Sequence, residues 1–482
     1  MVFSSLIFLY AFFPLSLAAA WLCRSKPAQN RALLVFSLIF YGFGAPKYLL
    51  LLMAMAFADW LCALGVERGR HKKAWLALAV VVDIGMIAYF KYAAFLVGIF
   101  TTPPKWVTEI VLPIGISFYT FQLLTYVVDV YRGEAPAQKR YWNVLLYAAL
   151  YHQCIAGPIV RYQTVSQELF GPEPRKPEIA AGVSRFAVGL GKKVLLANPC
   201  GALAQTMILS ESAAADISQL SANLARLEGT SVLGSWLGIL AYALHIYLDF
   251  SAYSDMAIGM GQMMGLHYME NFNYPYLSSS VTEFWRRWHI SLGTFFRDYV
   301  YIPLGGSRCA PLRAVFNTFV VWLLTGLWHG ASWNYVLWGL WFFLLLMLER
   351  YALRNVLKKL PVLSHLYLLL AVCLGWVIFR FNRPELIRVM LGRLFGVGGN
   401  LWDMQAWVQL KTNVWLLLAA CIGATPLVHT LNRRITAKLP ETGAARKLYH
   451  ILVYGLFPAA LLLASTACLV GDSFNPFIYF QF

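Results

Sequence analysis

A single histidine, His329, stands in the apolar stretch LLTGLWHGASWNYVLWG, residues 323–339. An imidazole titrates near neutral pH, so it can act as a general base that removes a proton from a hydroxyl group. If the ring lines a water-filled cavity beside the small Gly330, a substrate can reach it. The alternative is an interfacial hairpin in which tryptophans form an aromatic belt and the histidine has no chemical role. The residues by themselves do not choose between these interpretations.

Most other ionisable side chains near apolar runs lie between residues 245 and 330. His245 and Asp249 are four residues apart, hence on one face of a helix, where a carboxylate can orient an imidazole. We expect the more common arrangement, in which the two side chains are buried, bond each other and hold helices together. Asp255 follows on the same segment and is a candidate, because ionisable groups inside membranes are costly and usually functional.

The segment SVTEFWRRWHISLGTFFRDYVYIPLGGSR, residues 280–308, has an apolar stripe with helical spacing. This pattern predicts a helix that lies in the cytoplasmic interface with its aromatic face inward. His289 stands at the edge of the stripe, where a lone histidine is more often structural. Arg286 and Arg287 could contact an anionic substrate such as a nucleotide phosphate, although lipid headgroups are their commoner partners.

The composition is that of a polytopic membrane protein. Of 482 residues, 60% are hydrophobic and 13% are charged, about half the charge of a typical soluble protein. The apolar residues come in runs of about 15–25, long enough to cross a hydrocarbon core of about 30 Å. We therefore predict an all-α fold with about eleven or more transmembrane helices, some re-entrant and interfacial helices, and one domain over residues 1–482. The sequence shows no internal repeat, which argues against an inverted-repeat transporter.

Basic residues outnumber acidic ones by 39 to 22, for a net charge of +17. They lie in short loops between apolar runs, where they orient the chain and contact anionic membrane lipids, so we expect no nucleic-acid binding. The eight cysteines show no metal-ligand spacing, and we expect neither a metal nor a disulfide.

The positive-inside rule orients the chain. It places the basic loops 23–31, 67–73 and 131–140 in the cytoplasm, and the N-terminus and residues 474–482 outside. The basic stretch 380–393 falls on the outer side, and there we expect an interfacial amphipathic helix.

The same orientation makes His329 the tip of a short hairpin. A helix over residues 314–328 rises about 22 Å from the cytoplasmic side, at about 1.5 Å per residue, and the apolar run 333–349 returns. A non-helical turn at that depth is tolerated only inside protein or beside a water-filled cavity.

Six motifs follow one another along nearly the whole chain. They are PIGISFYTFQLLTYVVDVYRG (113–133), IAGPIVR (155–161), DFSAYSDMAIGMGQMMG (249–265), MENFNYPY (269–276), EFWRRWHISLGTFFRDYVYIPLGG (283–306) and GLWHGASWNYVLWG (326–339). Together they resemble the membrane-bound O-acyltransferase family, and in particular its bacterial polysaccharide branch, typified by the membrane subunit of alginate O-acetylation. Six motifs in order are a specific signal, whereas any one of them would be weak.

The resemblance implies a function and a site. His329 would be the catalytic histidine and His289 the second functional histidine, in a ring of helices around a central tunnel. Acetyl-CoA would be the cytosolic donor substrate, with no tightly bound cofactor. The acceptor would be an exported polysaccharide, reached directly or through a periplasmic serine acetyltransferase of the SGNH type, in a bacterial inner membrane. Weaker candidates for lining the site are Trp328, Trp333, Asn334, Trp288, Arg286, Arg287 and Asp255.

Two residues, His152 and Cys154, depart from the family pattern. We do not assign Cys154 as an acyl-carrying nucleophile, because an apolar setting raises the pKa of a thiol.

Two alternative functions stay open. The same chemistry would also suit D-alanyl transfer to teichoic acid through a carrier protein. A transporter that uses the intramembrane histidines and aspartates as a relay is the alternative outside enzymes.

Overall fold

Helices make up the regular secondary structure of residues 2–155, 157–440, 442–471 and Phe477, which are the residues that the computed structural model describes. In this part of the chain no strand is found, and the one isolated bridge pairs Phe272 with Trp288. The all-α prediction is confirmed. The segment 474–482, predicted to lie outside, falls outside the described residues except for Phe477.

The α-helices follow one another along the chain. In chain order they are α1 (Phe13–Leu22), α2 (Lys26–Gly44), α3 (Leu49–Glu67), α4 (Lys72–Ile87), α5 (Ala93–Phe100), α6 (Lys105–Thr108), α7 (Ile116–Arg132), α8 (Tyr141–Ala149), α9 (Tyr162–Phe170), α10 (Ile179–Gly191), α11 (Asn198–Met207), α12 (Glu211–Ala215) and α13 (Leu220–Glu228). They continue with α14 (Val232–Met263), α15 (Val281–Arg287), α16 (Ile290–Phe296), α17 (Pro311–His329), α18 (Trp333–Leu348), α19 (Arg354–Lys359), α20 (Pro361–Arg380), α21 (Pro384–Leu394), α22 (Met404–Thr412), α23 (Val414–Gly423), α24 (Leu427–Lys438), α25 (Ala444–Ile451) and α26 (Phe457–Gly471).

Fewer helices than predicted are long enough to cross a membrane. Within the described residues seven helical segments are long and apolar enough, or eight if α22 and α23, which meet at 59°, form one broken span. The predicted number of about eleven is not confirmed, because some apolar runs form short helices. α8 has nine residues and therefore spans only about 14 Å.

The chain divides into two compact units. Among the described residues, the first contains 2–155, 157–190, 253–270, 451–471 and Phe477, and the second contains 191–252, 271–440 and 442–450. The long helix α14 contributes residues to both. One domain over the whole chain stays a prediction.

In the first unit, a close helix contact and an ion pair fix the last part of α14. A Cβ atom at Gly259 would lie 2.6 Å from the carbonyl oxygen of Gly182, so the two backbones touch. Next to this contact, the Arg185 guanidinium donates hydrogen bonds to Asp255 at 2.6 Å and to Glu270 at 2.7 Å. Asp255 therefore has a structural partner in this unit.

In the second unit, a buried ion pair holds the middle of α14. Lys193 Nζ lies 2.6 Å from Asp249 Oδ1, and both side chains are almost fully buried. Lys193 lies in the π-helical turn Lys192–Ala197. The Nδ1 atom of His245 bonds the carbonyl oxygen of Ala197 at 2.8 Å. His245 and Asp249 thus each hold α14 to the same turn, in keeping with the expected role of holding helices together.

Removing one member of the buried pair should be costly. We expect Lys193→Met to destabilise the protein by about 3–5 kcal/mol, because the Asp249 carboxylate is left buried without a counter-charge. Thermal unfolding in detergent measures the change. Lys105→Met is the matched control, since Lys105 pairs with Glu109 in an exposed position, and it should change stability by less than about 1 kcal/mol. Equal effects of the two substitutions would contradict the assignment.

Candidate active site

The α17–α18 hairpin is held by direct contact between its backbones. A Cβ atom at Gly326 would lie 2.3 Å from the carbonyl oxygen of Tyr335, and one at Gly339 would lie 2.4 Å from that of Trp322. Only glycine permits such an approach. The helices therefore pack closely up to His329, the last residue of α17. The predicted hairpin with His329 at its tip is confirmed.

Aromatic rings surround the His329 imidazole. The centroids of Trp328 and Trp338 lie 4.9 Å from that of His329, and the centroid of Phe379 lies 5.1 Å away, all in edge-to-face geometry. The histidine is 5% exposed. Three rings perpendicular to the imidazole fix its plane without using its nitrogen atoms.

Asn334 brings α20 to the hairpin. Its side-chain Nδ2 donates a hydrogen bond to the carbonyl oxygen of Phe379 at 3.0 Å. Phe379 is the penultimate residue of α20, where the last carbonyl groups of a helix have no partner within the helix. The bond ties the end of α20 to α18, and this is how the Phe379 ring reaches His329.

The single interfacial helix predicted over residues 280–308 is wrong. In the structure α15 ends at Arg287 and α16 begins at Ile290. His289 lies between them and has a φ of 47°. The cause lies in the NFN sequence that precedes these helices. The amide of Ile290 donates to the carbonyl oxygen of Asn271 at 3.0 Å, and the amide of Asn273 donates to that of Arg287 at 2.9 Å. These bonds replace helical ones and turn the chain at His289.

Asn271 also orients the His289 ring. Its Oδ1 accepts from Ser291 Oγ at 2.8 Å, from the Ser291 amide at 3.1 Å and from His289 Nδ1 at 3.2 Å. Because Nδ1 donates, the lone pair of the neutral ring lies on Nε2. Burial lowers the pKa of His289 to about 3, so the ring is neutral at pH 7. Left-handed backbone at a non-glycine residue is costly and is common at functional sites.

Trp328 joins the two histidines. The ring centroids of His289 and Trp328 are 5.5 Å apart, and Trp328 contacts His329 as described. Phe250 of α14 packs on His289 at 4.7 Å. The second unit therefore places both sequence-predicted histidines in one aromatic cluster. Sequence reasoning missed Asn271, Phe250, Trp338 and Phe379 as site residues. The first three lie inside the motifs quoted above, which was the available signal, whereas Phe379 lies outside them.

The weaker candidates are distributed differently. Trp288 is buried and lies against Trp376, with ring centroids 5.1 Å apart. Arg287 pairs with Glu283 at 2.6 Å, and Arg286 is exposed. Trp333 is 59% exposed. Asp255 belongs to the first unit.

His152 and Cys154 lie in the first unit. His152 Nδ1 lies 3.0 Å from the hydroxyl of Tyr268, and both residues are buried. The carbonyl oxygen of Cys154 would lie 2.3 Å from a Cβ atom at Gly115, whose φ is 74°. These contacts give both residues a packing role.

Among the described residues, no group of three or more His, Cys, Asp or Glu side chains is arranged to hold a metal ion. The site consists of two imidazoles, one amide and aromatic rings. An imidazole can act as a general base toward a hydroxyl group, which is the chemistry that His329 offers here, whereas the lowered pKa of His289 keeps that ring neutral.

We predict that Asn271→Leu destabilises the protein by about 1–3 kcal/mol, because the buried donors of Ser291 and His289 lose their acceptor. Asn273→Leu is the control, since Asn273 is exposed two residues away, and it should change stability by less than about 0.5 kcal/mol. Thermal unfolding in detergent compares them. A loss in the control as large as in Asn271→Leu would contradict the role of the amide.

The chain matches known proteins along its whole length. A model of the membrane-bound O-acyltransferase family matches residues 134–391, more than half of the chain. A protein of Azotobacter vinelandii named "Probable alginate O-acetylase AlgI" is 37% identical, with 100% of both chains covered.

Two further relatives have other names. A peptidoglycan O-acetyltransferase of Helicobacter pylori is 29% identical over 83% of this chain and 80% of its own. A teichoic acid D-alanyltransferase of Bacillus subtilis is 27% identical over 47% of this chain and 56% of its own. The family match and the full-length identity show that the chain belongs to the membrane-bound O-acyltransferase family.

Proposed function

We propose that this protein is a membrane O-acetyltransferase that moves an acetyl group from cytosolic acetyl-CoA to a hydroxyl group of an exported polysaccharide. Membership of the family supports acyl transfer to oxygen. The relatives named for O-acetylation of alginate and peptidoglycan cover 100% and 83% of the chain, which supports an acetyl group and a carbohydrate acceptor. The observation that carries the chemistry is the pair of buried histidines that both contact Trp328.

In the proposed reaction His329 is the general base. Its imidazole accepts the proton of the acceptor hydroxyl while the hydroxyl oxygen attacks the carbonyl carbon of the thioester. The new C–O bond forms, the C–S bond breaks, and the coenzyme A thiolate takes the proton back from the imidazole. The products are the O-acetyl ester and the free thiol. A positioned base of this kind contributes about 10²–10⁴-fold to a rate.

The aromatic rings around His329 have two consequences for this step. They fix the imidazole plane, so the base meets the hydroxyl in one orientation. Apolar rings also exclude water, which would otherwise compete with the acceptor for the acetyl group.

His289 serves the donor side or the proton path. Its ring is neutral, and its Nδ1 proton is donated to Asn271, so Nε2 carries the lone pair and can accept a hydrogen bond from a donor group. Two histidines at different depths would suit a donor and an acceptor that arrive from opposite faces of a membrane.

The acceptor and the setting complete the proposal. The acetyl group passes directly to the polysaccharide or first to a periplasmic serine acetyltransferase of the SGNH type. The protein lies in a bacterial inner membrane, with acetyl-CoA on the cytoplasmic side and the polymer outside.

D-Alanyl transfer is the second candidate. The relatives named teichoic acid D-alanyltransferase cover 47% and 52% of the chain, at 27% and 25% identity. Relatives named for O-acetylation cover more of the chain at higher identity, and therefore we favour the acetyl group. The mass of the group added to the polymer separates the two.

We predict that His329→Gln lowers acetyl transfer at least about 10²-fold, because glutamine cannot accept the hydroxyl proton. His289→Gln should lower it as well. The measurement is incorporation of labelled acetyl-CoA into polymer by membranes that contain the variant.

His429→Gln is the control, since His429 is exposed on α24, and it should retain activity. Wild-type transfer in folded His329→Gln protein would refute His329 as the base. Polymer movement without any label transfer in the wild type would instead indicate a transporter.

A further inference from the structure

Two segments of the second unit pack together into one small domain-like element. We call residues 208–231 and 381–403 the cap. Its helices α13 and α21 share a core with the ends of α14 and α20. The buried members of that core are Ile208, Leu209, Ala214, Leu227, Ile239, Cys373, Val377, Phe381, Leu386, Met390 and Leu394.

Polar contacts tie the two halves of the cap together. The Arg393 guanidinium donates to the carbonyl oxygen of Glu228. The amides of Val232 and Leu233 donate to the carbonyl oxygens of Asn400 and Leu401, both at 3.0 Å.

The cap changes the interpretation of the basic stretch 380–393. The sequence predicted an interfacial amphipathic helix there. Instead α21 buries its apolar face, including Leu386, Met390 and Leu394, in the cap core. Arg380 and Arg393 are buried and hold backbone carbonyl groups, so two of the basic residues have structural partners.

One exposed segment next to α21 is apolar. We call residues 395–404, which follow α21, the crest. Five of its side chains are 60–76% exposed, and they are Phe395, Val397, Leu401, Trp402 and Met404. Apart from Asn400 and three glycines, the crest has one more residue, Asp403.

Asp403 is turned toward the protein. Its Oδ1 accepts from the amide of Ala406 at 2.7 Å and caps α22, and its Oδ2 accepts from the amide of Ser231 at 3.3 Å. A loop in water normally places charge outward and large apolar side chains inward. In the crest this polarity is reversed, so its surroundings are less polar than water.

The chain that follows the crest indicates what covers it. α22 and α23 together are long and apolar enough to form a span, with a bend of 59° between them. Trp407 and Lys411 of α22 form a cation–π pair at 4.8 Å, and Trp415 is exposed at the start of α23. Tryptophan and lysine side chains are typical of the membrane–water interface. The crest is continuous with this region.

We propose that the crest is a membrane-binding surface that inserts into the headgroup region of the lipid bilayer at the end of the hairpin where His329 lies. The five exposed apolar side chains enter the bilayer interface, while Asp403 and the backbone remain bonded to the cap.

This insertion connects the bilayer to the candidate site. α20 ends at Arg380, which bonds the carbonyl oxygen of Leu209 in the cap, and the preceding Phe379 contacts His329. The cap is therefore linked through the end of α20 to the Phe379 ring that contacts His329.

Site-specific fluorescence quenching in reconstituted full-length protein tests the proposal. The exposed or half-buried cysteines Cys23, Cys309, Cys421 and Cys468 are first replaced by serine. A bimane label is then placed in Leu401→Cys and, separately, in Met404→Cys. Ala225→Cys, on the exposed face of α13 in the same cap, is the matched control.

The quenchers are a doxyl-labelled phosphatidylcholine in the vesicle and iodide in the buffer. At Leu401 and Met404 we expect lipid quenching at least about twofold stronger than at Ala225, and iodide quenching at least about twofold weaker. Iodide quenching equal to that at Ala225 would overturn the proposal. Protection from both quenchers would overturn it too, because it would indicate a protein partner on the crest.

The measurement does not depend on activity, so it stands apart from the proposed acetyl transfer. Two exposed positions are labelled in separate variants, so the test still stands if one of the variants does not fold. Agreement of both with the control would refute membrane insertion even if His329 proves to be the base.

Discussion

The contact between α17 and α18 at Gly326 and Gly339 is the constraint on which the candidate site depends. Two helices that touch along their backbones cannot slide or splay, so the turn after His329 has one position. Everything else around the imidazole is placed relative to that turn. Asn334, the second residue of α18, fastens the end of α20 and brings Phe379 to the ring. A side chain at either glycine would push the helices apart and move the base.

His289 is held by different means. His289 is not placed by a close glycine contact between helices. Instead, hydrogen bonds of Asn271 replace those that a continuous helix would have made at this point. The cost is a left-handed backbone at His289, and the Asn271 bonds offset it. The result is a neutral ring with a defined tautomer. Aromatic rings pack around both histidines, His289 is also hydrogen-bonded to Asn271, and Trp328 lies against both.

The second unit also shows how charged side chains are accommodated in a mostly apolar protein. Lys193 and Asp249 neutralise each other in the interior, and Arg380 and Arg393 bond carbonyl groups at helix ends. At the crest the polarity is inverted, with Asp403 inward and large apolar side chains outward. Both arrangements follow from one rule, that a charge remains where it has a partner and apolar surface lies where water is scarce.

The sequence alone determined the all-α membrane class and the hairpin with His329 at its tip, because hydropathy, helical spacing and motif order are local properties of the chain. The prediction failed where distant residues intervene. The helix over 280–308 is broken by Asn271, and α21 buries its apolar face against α13. Such bonds join residues far apart in sequence, and periodicity within one segment carries no information about them. Only the tertiary structure could decide that Trp338, Phe379 and Phe250 enclose the two imidazoles, since apolar residues look alike in a sequence that is mostly apolar.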